Sequence, residues 1–563
     1  MSESGRIPDT SVPPSSLAAA IRARAADCAD RVFLRAGDQQ WTFAAAYREA
    51  CRYANLFLAR RADGPLHIGV LMDNLPAFVF AELGCGLAGA ALVGLNPTRS
   101  GSALARDIEY ADCQLVITEA RYAAQLHEAI GDRLPVLLAD GDAPSLDAAL
   151  ADVSEADPHV DVDPSALLMI VFTSGTTKAP KGVLNSQGRL MMLGWGACQH
   201  MCRCTVDDII YCAMPLYHAN AQILALAPPL VSGGGLALAR RFSKTQFLAD
   251  VRRYKATLFN YVGNPLAYVM DTAARPDDAD NPLRLAYGNE APRQYIAAFA
   301  ERFGCDVIDG YGASEVGVGF SRTSDDPARS LGRAAGVKII GEDGRECAAA
   351  QFDAEGRLTN ADAAVGEIVN TTGRFLFEGY YKDEAATAER TRDGWFHTGD
   401  LGYADAEGYI YFAGRDAEWI RVGGENFLAR PIEDVLARYP EVMLASVYGV
   451  PDPEAGDQVM AALVLQEGST FDVDAFGRFV DAADLPPRWR PTFVRVGRDI
   501  ASTATNKILK RALRREKFLL DRVADPLFWR PRGATAFRPF TTADLASLRE
   551  RFSKAGYADR LED

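Results

Sequence analysis

Short apolar runs alternate with amphipathic stretches along the first 310 residues. Apolar side chains at helical spacing predict helices over 17–28 and 43–58, and the runs 67–71, 91–94 and 114–117 predict buried strands. The same rhythm resumes after residue 166. Strands that alternate with helices form largely parallel sheets with helices on their faces. The pattern therefore predicts two α/β layers.

Beyond residue 331 the pattern changes to short strands separated by glycines, which predicts a small β-barrel-like region. A new unit follows residues 414–418, with a strand over 446–450 and a helix over 508–520. We therefore expect a flexible tail over 1–16 and a large N-terminal domain over 17–414. A hinge over 415–418 would join it to a smaller, mobile α+β domain over 419–563.

Composition narrows the class of protein. A chain of 563 residues is too long to fold around a single hydrophobic core. Its 48% content of hydrophobic residues indicates a globular protein. The net charge of -15 argues against a nucleic-acid binder, which needs a basic face. Ten cysteines and a polar start without a secretory signal predict a reduced, cytoplasmic protein.

One segment runs against the acidic balance. Residues 488–517 hold ten Lys and Arg against Asp499 and Glu516. The segment is either a solvated basic helix or a surface that attracts ATP, CoA or an anionic membrane. Peripheral membrane contact is therefore an open alternative. The uncharged stretch 209–239 contains prolines and consecutive glycines, which argues against a straight membrane span.

The strongest chemical signal is the loop that follows the apolar run 166–170. It reads Val-Phe-Thr-Ser-Gly-Thr-Thr-Lys-Ala-Pro-Lys-Gly over 171–182. Inward-turned backbone N–H groups, hydroxyls and a lysine suit a polyanion such as ATP. Pro180 and Gly182 flank Lys181 where a Walker A motif needs glycine and Ser or Thr, so this is not an ordinary P-loop.

The rest of a nucleotide site follows in order. The further motifs are Pro215-Leu216-Tyr217-His218, Tyr311-Gly312-Ala313-Ser314-Glu315, Gly394-Trp395-Phe396-His397-Thr398-Gly399-Asp400, Gly414-Arg415 and Lys507. Together with the loop, they resemble the adenylate-forming superfamily of acyl-CoA synthetases, luciferases and peptide-synthetase adenylation domains. The resemblance runs from about residue 17 to about residue 545.

The resemblance implies which residues bind ATP. The phosphate loop would use Thr173, Ser174, Gly175, Thr176, Thr177 and Lys181. Gly288, Asn289 and Glu290 would contact adenine, Tyr311 would stack on it, and Gly312 and Ser314 would be further nucleotide contacts. Asp400 would accept hydrogen bonds from both ribose hydroxyls, and Arg415 would hold ribose or phosphate. Asp400 in an Asx-turn and Arg415 paired with Asp416 are the structural alternatives.

It also implies the catalytic groups. Glu315, with Thr173, would ligate Mg²⁺, and Lys507 would bridge the attacking carboxylate and the α-phosphate. His218 would lie at the gate between the acyl pocket and the pantetheine tunnel, unless it is a satisfied core histidine. Rotation about Glu418 would withdraw Lys507 and bring in Arg421, Gly423 and Gly424 for CoA.

Three departures from the family pattern concern Lys178, Gln187 and Asn506, where relatives often carry glycine, histidine and glycine. The acyl-pocket wall is expected over 260–268 and 312–319, by analogy.

The segments 93–97, 247–263 and 456–460 look most like very-long-chain acyl-CoA synthetases of the fatty acid transport type and bacterial steroid side-chain CoA ligases. The tail 525–541 also resembles the C-terminus of the transport type. The resemblance thus implies an ATP-dependent acyl-CoA ligase for a steroid side-chain acid or a long-chain fatty acid. An acyl-AMP ligase serving a carrier protein, and a non-catalytic lipid-binding or uptake protein, remain alternatives.

Overall fold

The computed structural model describes residues 8–141, 145–173, 180–320, 326–327, 330–354, 358–415, 419–423, 425–454, 456–483, 485–503 and 508–562. Its architecture is mixed α/β, as the alternating pattern predicts. Two large sheets form the N-terminal part, a small sheet follows them, and a fourth sheet forms the C-terminal part.

The first large sheet has six strands. In spatial order they are Val136–Leu138, Cys113–Thr118, His67–Leu71, Ala91–Gly94, Leu167–Phe172 and Gly182–Ser186. Neighbours are parallel except for the last, which pairs antiparallel with Leu167–Phe172. The predicted strands 67–71 and 91–94 are confirmed, because runs buried on both faces are typical of parallel sheets.

The second large sheet has seven strands. In spatial order they are Asp306–Gly310, Leu285–Asn289, Leu258–Val262, Ile209–Cys212, Gly235–Leu238, Val32–Ala36 and Gln39–Thr42. Only the last is antiparallel to its neighbour. The two sheets confirm the two predicted α/β layers.

Helices cover these sheets. Those of the N-terminal part are Leu17–Asp27, Phe43–Ala59, Pro76–Ala88, Gly101–Tyr110, Ala120–Ile130, Leu146–Leu150, Gln187–Gly196, Ala219–Ala221, Ala227–Ser232, Phe247–Tyr254, Pro265–Met270 and Gln294–Phe303. Two of them continue into π-helical turns, Ala197–Met201 and Gln222–Leu226. Phe43–Ala59 begins at Thr42, whose hydroxyl accepts from the Ala45 N–H.

The region after residue 331 is β-rich, as expected. It is a four-stranded antiparallel sheet of Val337–Ile340, Gly366–Asn370, Phe396–Ala404 and Ile410–Arg415. Short helices Ala361–Ala364 and Glu384–Arg390 and the 3₁₀ turn Arg392–Gly394 flank its strands.

The C-terminal sheet is mostly antiparallel. Its strands are Glu425–Leu428, Trp419–Val422, Val442–Asp452, Gly456–Leu465, Phe493–Gly497, Leu527–Trp529 and Arg538–Pro539. The accompanying helices are Ala429–Leu436, Val473–Ala482, the 3₁₀ turn Pro487–Trp489, Lys510–Glu516, Thr542–Lys554 and Asp559–Glu562. The helix predicted over 508–520 is shorter, because Lys517 turns to a φ of 51°.

Part of the N-terminal segment packs against the rest of the protein. Residues 8–16 belong to the predicted flexible tail, yet Pro8 and Ser16 are buried and the Thr10 carbonyl accepts from the Trp195 indole at 2.8 Å. Within the described ranges, no helix combines the length and the apolar character that crossing a bilayer requires.

Glu82 places a carboxyl group inside the main hydrophobic core. It lies on the helix Pro76–Ala88 and is 0% exposed. Among the described residues, neither of its oxygens has a hydrogen-bond partner of normal geometry. Burial raises the pKa of Glu82 to about 8, which the nearby Gln222 amide only partly offsets. The folded protein therefore holds a proton here at neutral pH.

We expect Glu82 to make stability fall with rising pH. The ordinary pKa is 4.5, so the folded state holds this proton more tightly than the unfolded chain does. The resulting stability is complete below about pH 4.5 and is lost towards pH 8, a change on the order of 5 kcal/mol. Denaturant unfolding of Glu82→Gln at several pH values should lack this part of the slope.

The exposed Glu128→Gln serves as the control for the same substitution on a helix. A Glu82→Gln variant with the wild-type dependence of unfolding free energy on pH would contradict the assignment of a buried proton.

Candidate active site

One cavity of about 2700 Å³ lies at the carboxyl ends of the parallel strands of both large sheets. The strand ends that line it are Gly94, Phe172, Val262, Asn289 and Gly310. Ligands of open α/β sheets bind at this edge, where the strand ends leave a crevice. The motifs that line this cavity therefore lie where a ligand of such a fold is expected to bind.

The base of the phosphate loop opens into this cavity. Strands Leu167–Phe172 and Gly182–Ser186 form a hairpin, and the Thr173 N–H donates to the Lys181 carbonyl at 2.9 Å. The Lys181 N–H donates to the Thr173 hydroxyl at 3.3 Å. Of the predicted loop residues, Thr173 and Lys181 line the cavity, and Ser174, Gly175, Thr176, Thr177 and Lys178 lie outside the described residues.

Tyr380 connects the loop lysine to the predicted metal ligand. The Tyr380 hydroxyl donates to Glu315 Oε1 at 2.8 Å, and the Lys181 ammonium lies 4.9 Å from the Tyr380 ring centroid. Arg390 Nε donates to the same hydroxyl at 3.3 Å. Burial and the Glu315 charge raise the pKa of Tyr380, so its hydroxyl keeps its proton. The sequence analysis missed Tyr380 and Arg390, since only folding brings them to Glu315.

Asp400 and Tyr311 meet across the cavity. The Tyr311 hydroxyl donates to the Asp400 carboxylate, and Asp400 is 5% exposed. The Asp400 N–H also donates to the Thr398 hydroxyl at 3.1 Å, within the strand Phe396–Ala404, where Gly399 has a φ of 69°. The backbones of Asp400 and Arg415 pair in adjacent antiparallel strands. The three predicted nucleotide contacts therefore lie close together.

Residues 288–290 end a buried strand at the cavity. A side chain at Gly288 would bring its Cβ to 1.9 Å from the Tyr261 carbonyl, so only glycine fits. Glu290 has a φ of 65°, which turns the chain sharply there. The Asn289 side chain accepts from the Asn220 amide at 3.1 Å. Gly312 lies against the same Asn289 amide, and Gly312 and Ser314 line the cavity.

His218 lines the cavity next to Tyr217. Their ring centroids are 4.4 Å apart, and Tyr217 packs on Gly94, where an added Cβ would approach to 2.9 Å. Tyr217 therefore lies against the strand end at Gly94, with the His218 ring beside it in the cavity lining. This place agrees with a gate, a role that stays a prediction.

The apolar lining of the cavity comes from more segments of the chain than the sequence analysis predicts. Val262, Ala313 and Gly319 of the expected wall line it. A further wall comes from the helix Gln187–Gly196 and its π-helical continuation, and another from 219–224. The apolar side chains that these segments contribute are Met192, Leu193, Trp195, Ala197, Met201, Ile223 and Leu224. The sequence analysis missed them, because a wall helix and a core helix have the same apolar pattern.

The C-terminal part contributes to the cavity lining with Asp434, Ala437 and Arg438, and with Ser502, Thr503 and Leu509. The last three flank Lys507 in the chain. Lys507 lies outside the described residues, as do Glu418 and Gly424. Arg421 and Gly423 are exposed and do not line the cavity, and the Gly423 carbonyl accepts from Arg488 at 3.1 Å. The structure therefore gathers the ATP residues but does not place the predicted CoA residues among the described cavity lining.

Gln187 replaces the histidine that relatives often carry. Its amide donates to the Gly86 carbonyl at 2.9 Å, and its side-chain oxygen accepts from the Ala18 N–H at 3.1 Å. Gln187 is fully buried. Its contacts therefore tie the wall helix to the N-terminal helices rather than to the nucleotide site.

The predicted Mg²⁺ ligands fit a hard cation. Glu315 and Thr173 both line the cavity and offer carboxylate and hydroxyl oxygens. In the described part of the chain, no group of three His, Cys, Asp or Glu residues could hold a metal by itself. Mg²⁺ usually takes one or two protein oxygens and completes its shell with phosphates and water. The donor set therefore suits Mg²⁺ bound together with ATP.

Two family models match the sequence of this chain. Residues 21–381 match the AMP-binding enzyme family, and residues 431–507 match the AMP-binding enzyme C-terminal domain. The chain belongs to the AMP-binding enzyme family.

Among curated relatives, the chain is 42% identical over 536 residues to a steroid-22-oyl-CoA synthetase of Rhodococcus jostii (strain RHA1). That match covers 94% of this chain and 96% of the relative. The chain is also 45% identical over 457 residues to the medium/long-chain-fatty-acid–CoA ligase FadD17 of Mycobacterium marinum, covering 80% and 86% of the two chains.

Solved structures share the fold. The anthranilate CoA ligase AuaEII in complex with anthranoyl-AMP has a TM-score of 0.79 at 20% identity, covering 90% of this chain and 98% of that one. ATP-bound MatB from Rhodopseudomonas palustris has a TM-score of 0.76 at 24% identity, covering 89% and 98%. At such identities the likeness establishes the fold alone.

We expect Tyr380→Phe to weaken ATP binding about tenfold. A hydrogen bond to a charged group contributes about 1.5–3 kcal/mol, and its loss would free the Glu315 carboxylate. Calorimetric titration with ATP and Mg²⁺ measures the change. Tyr381→Phe is the matched control, because the Tyr381 hydroxyl donates to Asp112 at 2.5 Å, away from the cavity lining. Equal affinities of the two variants would contradict the role of Tyr380.

Proposed function

We propose that this protein is an ATP-dependent acyl-CoA ligase that activates a hydrophobic carboxylic acid through an acyl-AMP intermediate. One observation carries the proposal: the lining of a single cavity combines polar groups, among them Lys181, Glu315 and Asp400, with an apolar wall to which Tyr217 and Trp195 contribute. An enzyme that couples ATP to an apolar acid needs these two environments side by side. The CoA ligase activities of relatives at 42% and 45% identity support it.

In the first half-reaction, a carboxylate oxygen attacks the α-phosphorus of ATP and pyrophosphate leaves. Asp400 would orient the ribose, and Lys181 with the loop would hold the departing phosphates. Lys507 would stabilise the negative charge that the attacking carboxylate and the α-phosphate share. Mg²⁺, held by Glu315 and Thr173, would neutralise phosphate charge when bound.

In the second half-reaction, the CoA thiol attacks the acyl carbon and AMP leaves. The acyl-AMP is a mixed anhydride, which makes the carbonyl carbon a far better electrophile than a carboxylate. Because Arg421 and Gly423 do not line the cavity in this structure while Ser502 and Thr503 do, we infer that the C-terminal part rotates between the steps. Glu418 would be the pivot of that rotation.

The acid that we favour is a steroid side-chain acid. The cavity of about 2700 Å³ exceeds the roughly 300–1,000 Å³ of ordinary ligand pockets, which leaves room for a bulky ring system beside ATP. The steroid-22-oyl-CoA synthetase matches 94% of this chain, against 80% for the fatty-acid ligase FadD17. A long-chain fatty acid is the second candidate, supported by the 45% identity to FadD17.

The products distinguish the candidates. Mass spectrometry after incubation with ATP, Mg²⁺ and CoA should detect an acyl-CoA from a steroid side-chain acid, and less from long-chain fatty acids or aromatic acids. Acyl-AMP that accumulates despite free CoA would favour a ligase serving a carrier protein. Neither product from any acid would contradict the proposal and favour a lipid-binding protein.

Lys507→Ala should separate the half-reactions. We expect it to abolish acyl-AMP formation, because its charge is needed only there, while supplied acyl-AMP is still converted to acyl-CoA. Lys510→Ala is the matched control, because Lys510 pairs with Glu433 at 2.9 Å in the C-terminal part. Equal losses of both half-reactions in Lys507→Ala would count against the domain rotation.

A further inference from the structure

Arg189 is the single charged residue of the helix Gln187–Gly196, whose other side chains are apolar, polar or absent. It is 3% exposed. A charge at this depth needs partners that replace water, because an unpaired buried cation is strongly unfavourable. The contacts of Arg189 therefore indicate the role of this buried charge.

The guanidinium joins the wall helix to two separate segments of the cavity. Nη2 donates to the carbonyl of Ser314 at 3.1 Å and to that of Glu315 at 2.9 Å. Nε donates to the carbonyl of Leu376 at 2.6 Å, and Nη1 donates to the Asn185 side chain. One side chain thus fixes the backbone of the predicted metal ligand and that of a second loop.

Both loops hold a strained residue at the position next to an acceptor. Val316, directly after Glu315, has a φ of 45°, and Phe375, directly before Leu376, has a φ of 50°. A β-branched residue at positive φ is a rare outlier that persists only where its surroundings hold it. Val316 and Phe375 both line the cavity. The hydrogen bonds from Arg189 therefore hold two strained turns that shape the site.

The charge of Arg189 is balanced locally. Burial lowers its pKa to about 10, and Glu378 and Glu315 oppose that change, so it stays protonated at neutral pH. Glu378 accepts from the N–H and the hydroxyl of Ser186, which precedes the same helix. The cation and its partners form one network between the helix and residues 314–315 and 376–378.

We propose that Arg189 is a positioning residue for adenylation, which sets the Glu315 carboxylate for Mg²⁺ and ATP by holding the backbone of two segments that line the cavity. The inference rests on the proposed function. Tyr380 would orient the Glu315 side chain through a hydrogen bond to its carboxylate. Arg189 would orient the same residue through a hydrogen bond to its main-chain carbonyl. The proposal predicts that loss of Arg189 affects the use of Mg²⁺ before it affects the binding of the acid.

The test compares Arg189→Met and Arg189→Lys with the wild type. The first readout is the rise in Tm on adding ATP with Mg²⁺, relative to ATP with a chelator. We expect Arg189→Met to lose most of that Mg²⁺-dependent rise, and Arg189→Lys, which keeps the charge and part of the hydrogen bonding, to retain part of it. In ATP–pyrophosphate exchange, Arg189→Met should raise the half-saturating Mg²⁺ concentration at least tenfold, with the KM for the acid changed less than threefold.

Arg302→Met is the matched control. Arg302 is also largely buried and donates to the carbonyls of Thr272 and Ala273 and to Asp278, but it does not line the cavity. We expect it to lower Tm while leaving the Mg²⁺ dependence unchanged. If Arg189→Met does not fold, Arg189→Lys carries the test, because it should still show a raised Mg²⁺ requirement.

The outcomes separate the two proposals. A wild type whose Tm does not respond to ATP and Mg²⁺ would overturn the proposed function and this inference with it. A responsive wild type alongside Arg189 variants with the same Mg²⁺ dependence would overturn the inference alone. A lowered Tm in both Arg189→Met and Arg302→Met, with the Mg²⁺ dependence unchanged in each, would show that Arg189 has a purely structural role. That outcome would also overturn the inference.

Discussion

The helix Gln187–Gly196 leaves the phosphate-loop hairpin and packs into the main core, so its position constrains both ends of the cavity. Gly194 lies so close to Ala227 that an added Cβ would approach to 2.3 Å, which locks the helix against its neighbour. Its first turn reaches the nucleotide side through Arg189, and its last turn presents Trp195 to the apolar side. A shift of this helix would therefore change phosphate and acyl geometry together.

The arrangement solves an electrostatic problem. Triphosphate charge needs donors and cations, whereas a hydrophobic acid needs a dry, apolar surface, and the two must meet at one carbonyl. The strand ends at Phe172 and Gly310 bring the polar loops to one edge of both sheets. The π-helical turns beside them turn apolar side chains towards the same space, so the two environments share a boundary.

Much of this follows from local patterns. Period and turn residues predict the α/β layers and the strands 67–71 and 91–94, because such elements depend on neighbours in the chain. Ordered motifs predict Lys181, Glu315 and Asp400 as parts of one site, and the structure brings them to one cavity. The roles of these residues remain predictions, as do the domain bounds and the hinge at Glu418.

The sequence by itself determined the class of fold, the order of the nucleotide motifs and the reaction type that they imply, because each rests on short-range chemistry. Tertiary structure alone decided that Tyr380 meets Glu315 across 65 residues, and that Arg189 holds carbonyls 125 and 126 residues away. Such contacts have no periodic signal. The one trace was a lone arginine in an apolar helix, which indicates a buried partner but not its identity.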